Sequence, residues 1–99
     1  MSRFNVYPNP SGHGYLIDIQ ADLMAHFNTR VVVPLLPLEM APKAAKMLNP
    51  LFDIDGKLHV MATQFMAAVP VSELKSATFN ASNRQNEIVA AIDLLHQGF

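Results

Sequence analysis

Only one stretch of the chain, residues 83–97, carries the period of a helix, and everything before it is cut into short runs by turn residues. Ile88, Ala91, Ile92 and Leu95 recur at i, i+3, i+4, i+7, the spacing that lays one apolar face on a core. Ser82, with Gln85 three residues on, matches a capping box at its start, and Gly98 matches a C-terminal breaker. The other face is unusual. Asn86, Ala90, Asp93 and Gln97 follow at i, i+4, i+7, i+11, a stripe of short or flat side chains without Lys or Arg. The pattern predicts a helix that covers a sheet with one side and offers the other to a partner, with the Phe99 ring beyond it.

The preceding runs are β-like. Phe4 and Val6 alternate with Arg3, Asn5 and Tyr7, and Tyr15, Ile17 and Ile19 alternate with Leu16, Asp18 and Gln20. Two strands therefore flank residues 8–14, PNPSGHG, whose composition is that of a hairpin loop. Residues 21–29 lose the pattern but carry Leu23, Met24 and Phe27, read as a plug or a binding surface. Val31, Val32 and Val33 do not alternate, which predicts burial on both faces or in an interface, and Pro34 and Pro37 place that strand's end at an edge or bulge. Residues 38–48 read as an excursion of one or two helical turns. Residues 51–54 and 57–63 about Asp55-Gly56 form the clearest hairpin, because Asp-Gly accepts the positive φ of a two-residue turn. Residues 65–71 are a short β run cut by Pro70, and 73–81 a connector. Strands followed by one terminal helix describe an α+β domain, a curled antiparallel sheet with a helix against it.

Ninety-nine residues are expected to form one domain over residues 1–99. With 51% hydrophobic and 15% charged residues there is more apolar side chain than one small core hides, which favours a homodimer. A net charge of -1 offers no field for a nucleic acid backbone, so direct nucleic acid binding is not expected. Absence of Cys excludes a disulfide framework and a thiol nucleophile. No run approaches the ~20 apolar residues of a membrane span, and the first residues hold no signal-peptide core. A soluble, cytoplasmic protein is expected.

His13, His26, His59 and His96 lie in four segments, no two at i, i+4, and predict no metal site. Asp55 belongs to the hairpin turn and Asp53 shows no carboxylate partner. No cofactor motif is present. One enzymatic reading stays open: a small ribonuclease, in which Arg30 and Arg84 hold the scissile phosphate and His13 or His26 moves the proton of the 2′-OH.

Several blocks in this order resemble the CcdB family across nearly the full chain. They are Phe4-Asn5-Val6-Tyr7, Asp18-Ile19-Gln20-Ala21-Asp22, Val32-Val33-Pro34-Leu35, Met66-Ala67-Ala68-Val69-Pro70-Val71, Arg84, Asn86-Glu87-Ile88, Ala91-Ile92-Asp93-Leu94-Leu95 and Gly98-Phe99. The resemblance implies an SH3-like barrel of the kind shared with MazF-type ribonucleases, in a two-fold homodimer. It implies a non-enzymatic, cofactor-free toxin of a type II toxin–antitoxin system, active in plasmid maintenance. Such a toxin binds the A subunit of DNA gyrase and traps the complex with cleaved DNA. A CcdA-like antitoxin with a disordered C-terminal tail neutralises it, and the pair autoregulates transcription. The gyrase-facing positions carried over are Gln85, Asn86, Val89, Ala90, Asp93, Gln97, Gly98 and Phe99, with Leu23 and Met24 beside them. The chain departs from the best-known members at Gln97, where they carry Trp, and at Phe99, where an aliphatic is usual; the exchange removes an aromatic anchor and supplies a ring two positions further on. A MazF-like endoribonuclease and a diverged module that binds only antitoxin are the alternatives.

Overall fold

A nine-residue strand, β3 (Thr29–Pro37), organises the sheet, and its unbroken apolar run explains how. In the computed structural model, which describes residues 2–21 and 27–97, β3 pairs antiparallel with β2 (Tyr15–Asp18) along one edge. Along its other edge it takes β5 (Lys57–Met61) and then β6 (Ala67–Pro70), end to end. Successive side chains of a strand point to opposite faces. Val33 accordingly joins the main core with Val6, Ile17, Leu35, Met61 and Ile88, while Val32 joins Tyr7, Leu16 and Leu74 in a second cluster. The valine run thus buries both faces of the sheet, as its lack of alternation predicts.

Pro34 does not end the strand. The discontinuity lies in its partner, where Val32 faces Ala67, Leu35 faces Met61, and a 3₁₀ turn, Thr63–Phe65, separates the two paired stretches. Proline, with no N–H to give, stands opposite that gap, and its carbonyl accepts the Ala62 N–H at 2.9 Å. The same turn shortens the predicted run at 65–71 to β6.

The hairpin of β4 (Leu51–Ile54) and β5 turns through Asp55 and Gly56 at φ +53° and +78°, the signs of a type I′ turn. Asp53 accepts the Gly56 N–H through Oδ1 at 3.0 Å, so both aspartates serve the turn. At the other end of the sheet β1 (Asn5–Pro8) lies between β2 and β7 (Phe79–Asn80), two residues that the sequence reading placed in a connector. Residues 8–14 close on themselves, with Asn9 N–H on the Gly14 carbonyl at 3.0 Å and Gly12 N–H on that of Asn9 at 2.9 Å. Residues 38–48 hold one 3₁₀ turn, Leu38–Met40, rather than longer helix.

Phe4, expected in the first strand, instead adopts φ +71°, a conformation unfavourable for a bulky residue. It is held there from three sides. Its N–H donates to the Asp18 carbonyl at 2.6 Å, its carbonyl accepts the Ala81 N–H at 2.8 Å, and its ring is buried in the main core.

The helix α1 (Gln85–Gln97) follows a 3₁₀ turn, Ser82–Arg84. The predicted capping box is absent, because the turn already begins at Ser82 and Ala81 occupies the capping position. Asn80 does the bonding instead, accepting the Ser82 N–H at 2.9 Å through Oδ1 and donating from Nδ2 to the Arg3 carbonyl at 3.1 Å and Asn5 Oδ1 at 2.9 Å. Ile88 and Ala91 are fully buried and Ile92 and Leu95 half-buried, so the predicted face lies on the sheet. The whole is a curled antiparallel half-barrel with one terminal helix, the α+β architecture expected.

Candidate functional site: the outer face of the terminal helix

Burying Ile88 and Ala91 turns the opposite side of α1 to solvent. Asn86, Ala90, Asp93 and Gln97 are all exposed, with Gln85 beside them, and the stripe carries the single charge of Asp93. Short side chains lose little rotamer freedom when covered, and amide and carboxylate groups retain hydrogen-bonding capacity, so the stripe suits docking against another surface. Val89 is half-buried and packs against the main core, so only part of it faces outward. Leu23, Met24, Gly98 and Phe99, and His26 of the ribonuclease reading, lie outside the described residues.

The start of α1 is fixed by Arg84. Its guanidinium sits 3.9 Å from the centre of the Phe52 ring and donates through Nε and Nη2 to the two carboxylate oxygens of Glu87, at 2.9 and 2.8 Å. That hydrogen bond holds the Glu87 carboxyl below its ordinary pKa. Toward the other end His96 Nδ1 lies 2.9 Å from the Ile92 carbonyl. The helix is thus tied to the β4–β5 hairpin at its first turn and to the core by its inner face.

Sequence reasoning missed a second constellation. Asp18 and Arg30 are both completely buried, Nε donating to Oδ2 at 2.7 Å and Nη2 to Oδ1 at 2.9 Å. Nη2 also reaches the Gln20 carbonyl at 3.3 Å, the Gln20 N–H donates to Asp18 Oδ1 at 3.0 Å, and Gln20 Oε1 accepts the Val31 N–H at 3.0 Å. An acid and a base placed on either side of one connection were the available signal. The network removes Arg30 from the ribonuclease reading, because a guanidinium enclosed by a carboxylate has no open face for a phosphate. Arg84, paired with Glu87 and stacked on Phe52, is likewise engaged. His59 is buried, with Nδ1 3.0 Å from the Lys57 carbonyl and its ring edge-on to Tyr15 at 5.3 Å.

An open cleft of about 970 Å³ lies elsewhere, between residues 8–14, the end of β3 and the β4–β5 turn. Tyr15, Pro37, Met40, Leu58 and His59 line it, with the exposed His13 at its rim. Among the described residues no three His, Asp or Glu side chains come together as metal ligands, and no helix is long and apolar enough to cross a membrane.

The half-barrel, the helix laid across it and the outer stripe of short polar side chains agree with the resemblance seen in the sequence blocks. A family model described as CcdB protein matches residues 3–98, nearly the whole chain. The chain belongs to the CcdB family, whose members are gyrase-poisoning toxins of toxin–antitoxin systems.

Proposed function

We propose that this protein is the toxin of a toxin–antitoxin pair. It docks the outer face and tip of α1 on the A subunit of DNA gyrase and holds the enzyme on cleaved DNA. The exposed stripe of Asn86, Ala90, Asp93 and Gln97, on a helix whose inner face buries Ile88 and Ala91, is the observation that carries this reading in a CcdB-family chain. Gln85 and part of Val89 extend the surface along the helix, and the family resemblance assigns Gly98, Phe99, Leu23 and Met24 to gyrase contact as well. The protein acts as an inhibitor, without cofactor and without contacting DNA on its own. It works in the cytoplasm, and a CcdA-like antitoxin with a disordered tail removes it. It acts as a homodimer, supported by Phe27, Leu51, Leu58 and Phe65, large apolar side chains left exposed in one chain.

Binding to a gyrase A fragment and stabilised DNA cleavage test the reading directly. Both are expected at micromolar toxin, and deleting Gly98 and Phe99 is expected to abolish growth arrest while dimerisation and antitoxin affinity persist. Antitoxin binding without gyrase binding or trapped cleavage at micromolar toxin refutes it, and sedimentation as a monomer at that concentration refutes the dimer.

A further inference from the structure

Residues paired directly across a sheet share a face. Tyr15 pairs with Leu35, Leu35 with Met61, Pro37 with His59 and His59 with Phe52, so Tyr15, Pro37 and His59 continue the inner face that carries the main core. The helix does not follow them: the lining of the open cleft, which takes in Tyr15, Pro37, Ile54 and His59, includes no residue of α1. At about 970 Å³ the cleft falls within the roughly 300–1,000 Å³ of small-molecule sites. Leu38 and Met40, both large, apolar and exposed, stand on its wall.

Its floor holds a polar atom without a partner. His59 is only 5% exposed, and its ring is held by the edge-on contact with Tyr15 and by the Lys57 carbonyl 3.0 Å from Nδ1. A carbonyl can only accept, so Nδ1 carries the hydrogen and Nε2 of the neutral ring is an acceptor. Nε2 makes no hydrogen bond with a described residue, yet Arg30 Nη1 is the one such unbonded side-chain atom sealed from solvent among the described residues. Nε2 is therefore reached from outside, and the cleft is the opening that the ring lines.

We propose that this cleft binds a small organic cation, an apolar or aromatic body bearing a protonated amine or amidine. The acceptor at Nε2 selects an N–H donor, and the wall of Leu38 and Met40 takes the body. Among the described lining residues, the carboxylates of Glu39 and Asp55 stand against the one ammonium of Lys57, a balance that favours a cation over an anion. A carboxylate ligand brings no hydrogen for Nε2 and meets two like charges. The site is separate from the outer face of α1 and stands whether or not the gyrase reading does.

Tryptamine and 3-indolepropionate, which share ring and chain length and differ in charge, test this when titrated into the full-length protein. Binding is followed by NMR at the His59 ring and at the Gly14 and Leu38 amides. Tryptamine is expected to saturate with a Kd of about 1 mM, and 3-indolepropionate to bind at least about tenfold more weakly. His59→Phe, which keeps a ring beside Tyr15 and loses Nε2, is expected to weaken tryptamine about tenfold. Glu39→Gln, an exposed change that tests the rim should His59→Phe not fold, is expected to weaken it about threefold. No saturation by about 10 mM tryptamine overturns the site. Equal affinity for the two probes, or for the parent and Glu39→Gln, overturns the cationic class. Undiminished binding by His59→Phe overturns the part assigned to Nε2.

Discussion

Ile88→Ala is the perturbation that best separates the two faces of the terminal helix. Ile88 has no exposed surface and packs in the main core among side chains from several strands. Truncation to Ala removes three carbons, worth about 2.4 kcal/mol at roughly 0.8 kcal/mol for each buried methylene. The surrounding core relaxes only in part, because β3 is fixed by strands on both edges, and the residual cavity adds on the order of 1 kcal/mol. The expected loss is about 3 to 4 kcal/mol, a large part of the roughly 5–15 kcal/mol that holds a domain folded. For a chain of this length it corresponds to a fall in Tm of about 15–25 °C. Urea or thermal denaturation at one fixed protein concentration measures it, since association couples to stability. Asn86→Ala and Asp93→Ala, on the outer stripe of the same helix, are expected to lie within about 0.5 kcal/mol of the parent. A loss below about 1 kcal/mol for Ile88→Ala, or equal losses on the two faces, refutes the division of labour on which the functional reading stands.

Gly14→Ala is expected to cost about 2 kcal/mol or more, because φ there is +73° and a Cβ would fall on the Leu35 carbonyl oxygen, whereas Gly12→Ala, at φ +94° in open space, meets conformational strain alone at about 1 kcal/mol. Equal melting temperatures for the two variants would show that β3 does not crowd the loop's return. Glu87, whose folded pKa lies below the ordinary 4.5, stabilises the folded state above that value and ceases to do so as pH falls through its lower folded value. Half of its side chain is exposed, so the pair with Arg84 is worth well under about 1 kcal/mol. The stability difference between the parent and Glu87→Gln is expected to shrink from about pH 6 to about pH 3, and a difference that grows on acidification contradicts the pairing.

The elements legible in the sequence are those set by local chemistry. Asp55-Gly56 dictates its turn whatever surrounds it, and the period of Ile88, Ala91, Ile92 and Leu95 announces a helix face before any partner is known. Val31 to Val33 announce burial on both sides of a sheet without saying what lies there. The misreadings share one physical cause: the deciding partner is distant in sequence. Phe79 and Asn80 become a strand only because β1 needs an outer neighbour. Phe4 enters a left-handed conformation because Asp18 and Ala81 bond its backbone from two directions. Pro34 is tolerated within a strand because the break falls in β5 and β6 opposite it. Ser82 forgoes capping because Asn80, bonded across to Arg3 and Asn5, has already set the turn.

The same reasoning applies to the site. The outer stripe was legible because it is the complement of a periodic core face on one helix, and nothing distant is needed to define it. Arg30 was not, because a cation in a sequence carries no sign of whether its counter-ion is solvent, substrate or another side chain. The sheet register decides. Asp18 stands opposite Val32, two residues from Arg30, so Asp18 and Arg30 are diagonal neighbours on one face, a separation that long side chains span. A slip of one residue between β2 and β3 would carry Arg30 to the opposite face, leave two charges buried apart and reverse the side of every valine in the run. The pair therefore selects the register that also places Val33 in the core that holds Ile88. What read as a free cation for catalysis is part of what puts the core under the helix and leaves its outer face open to a partner.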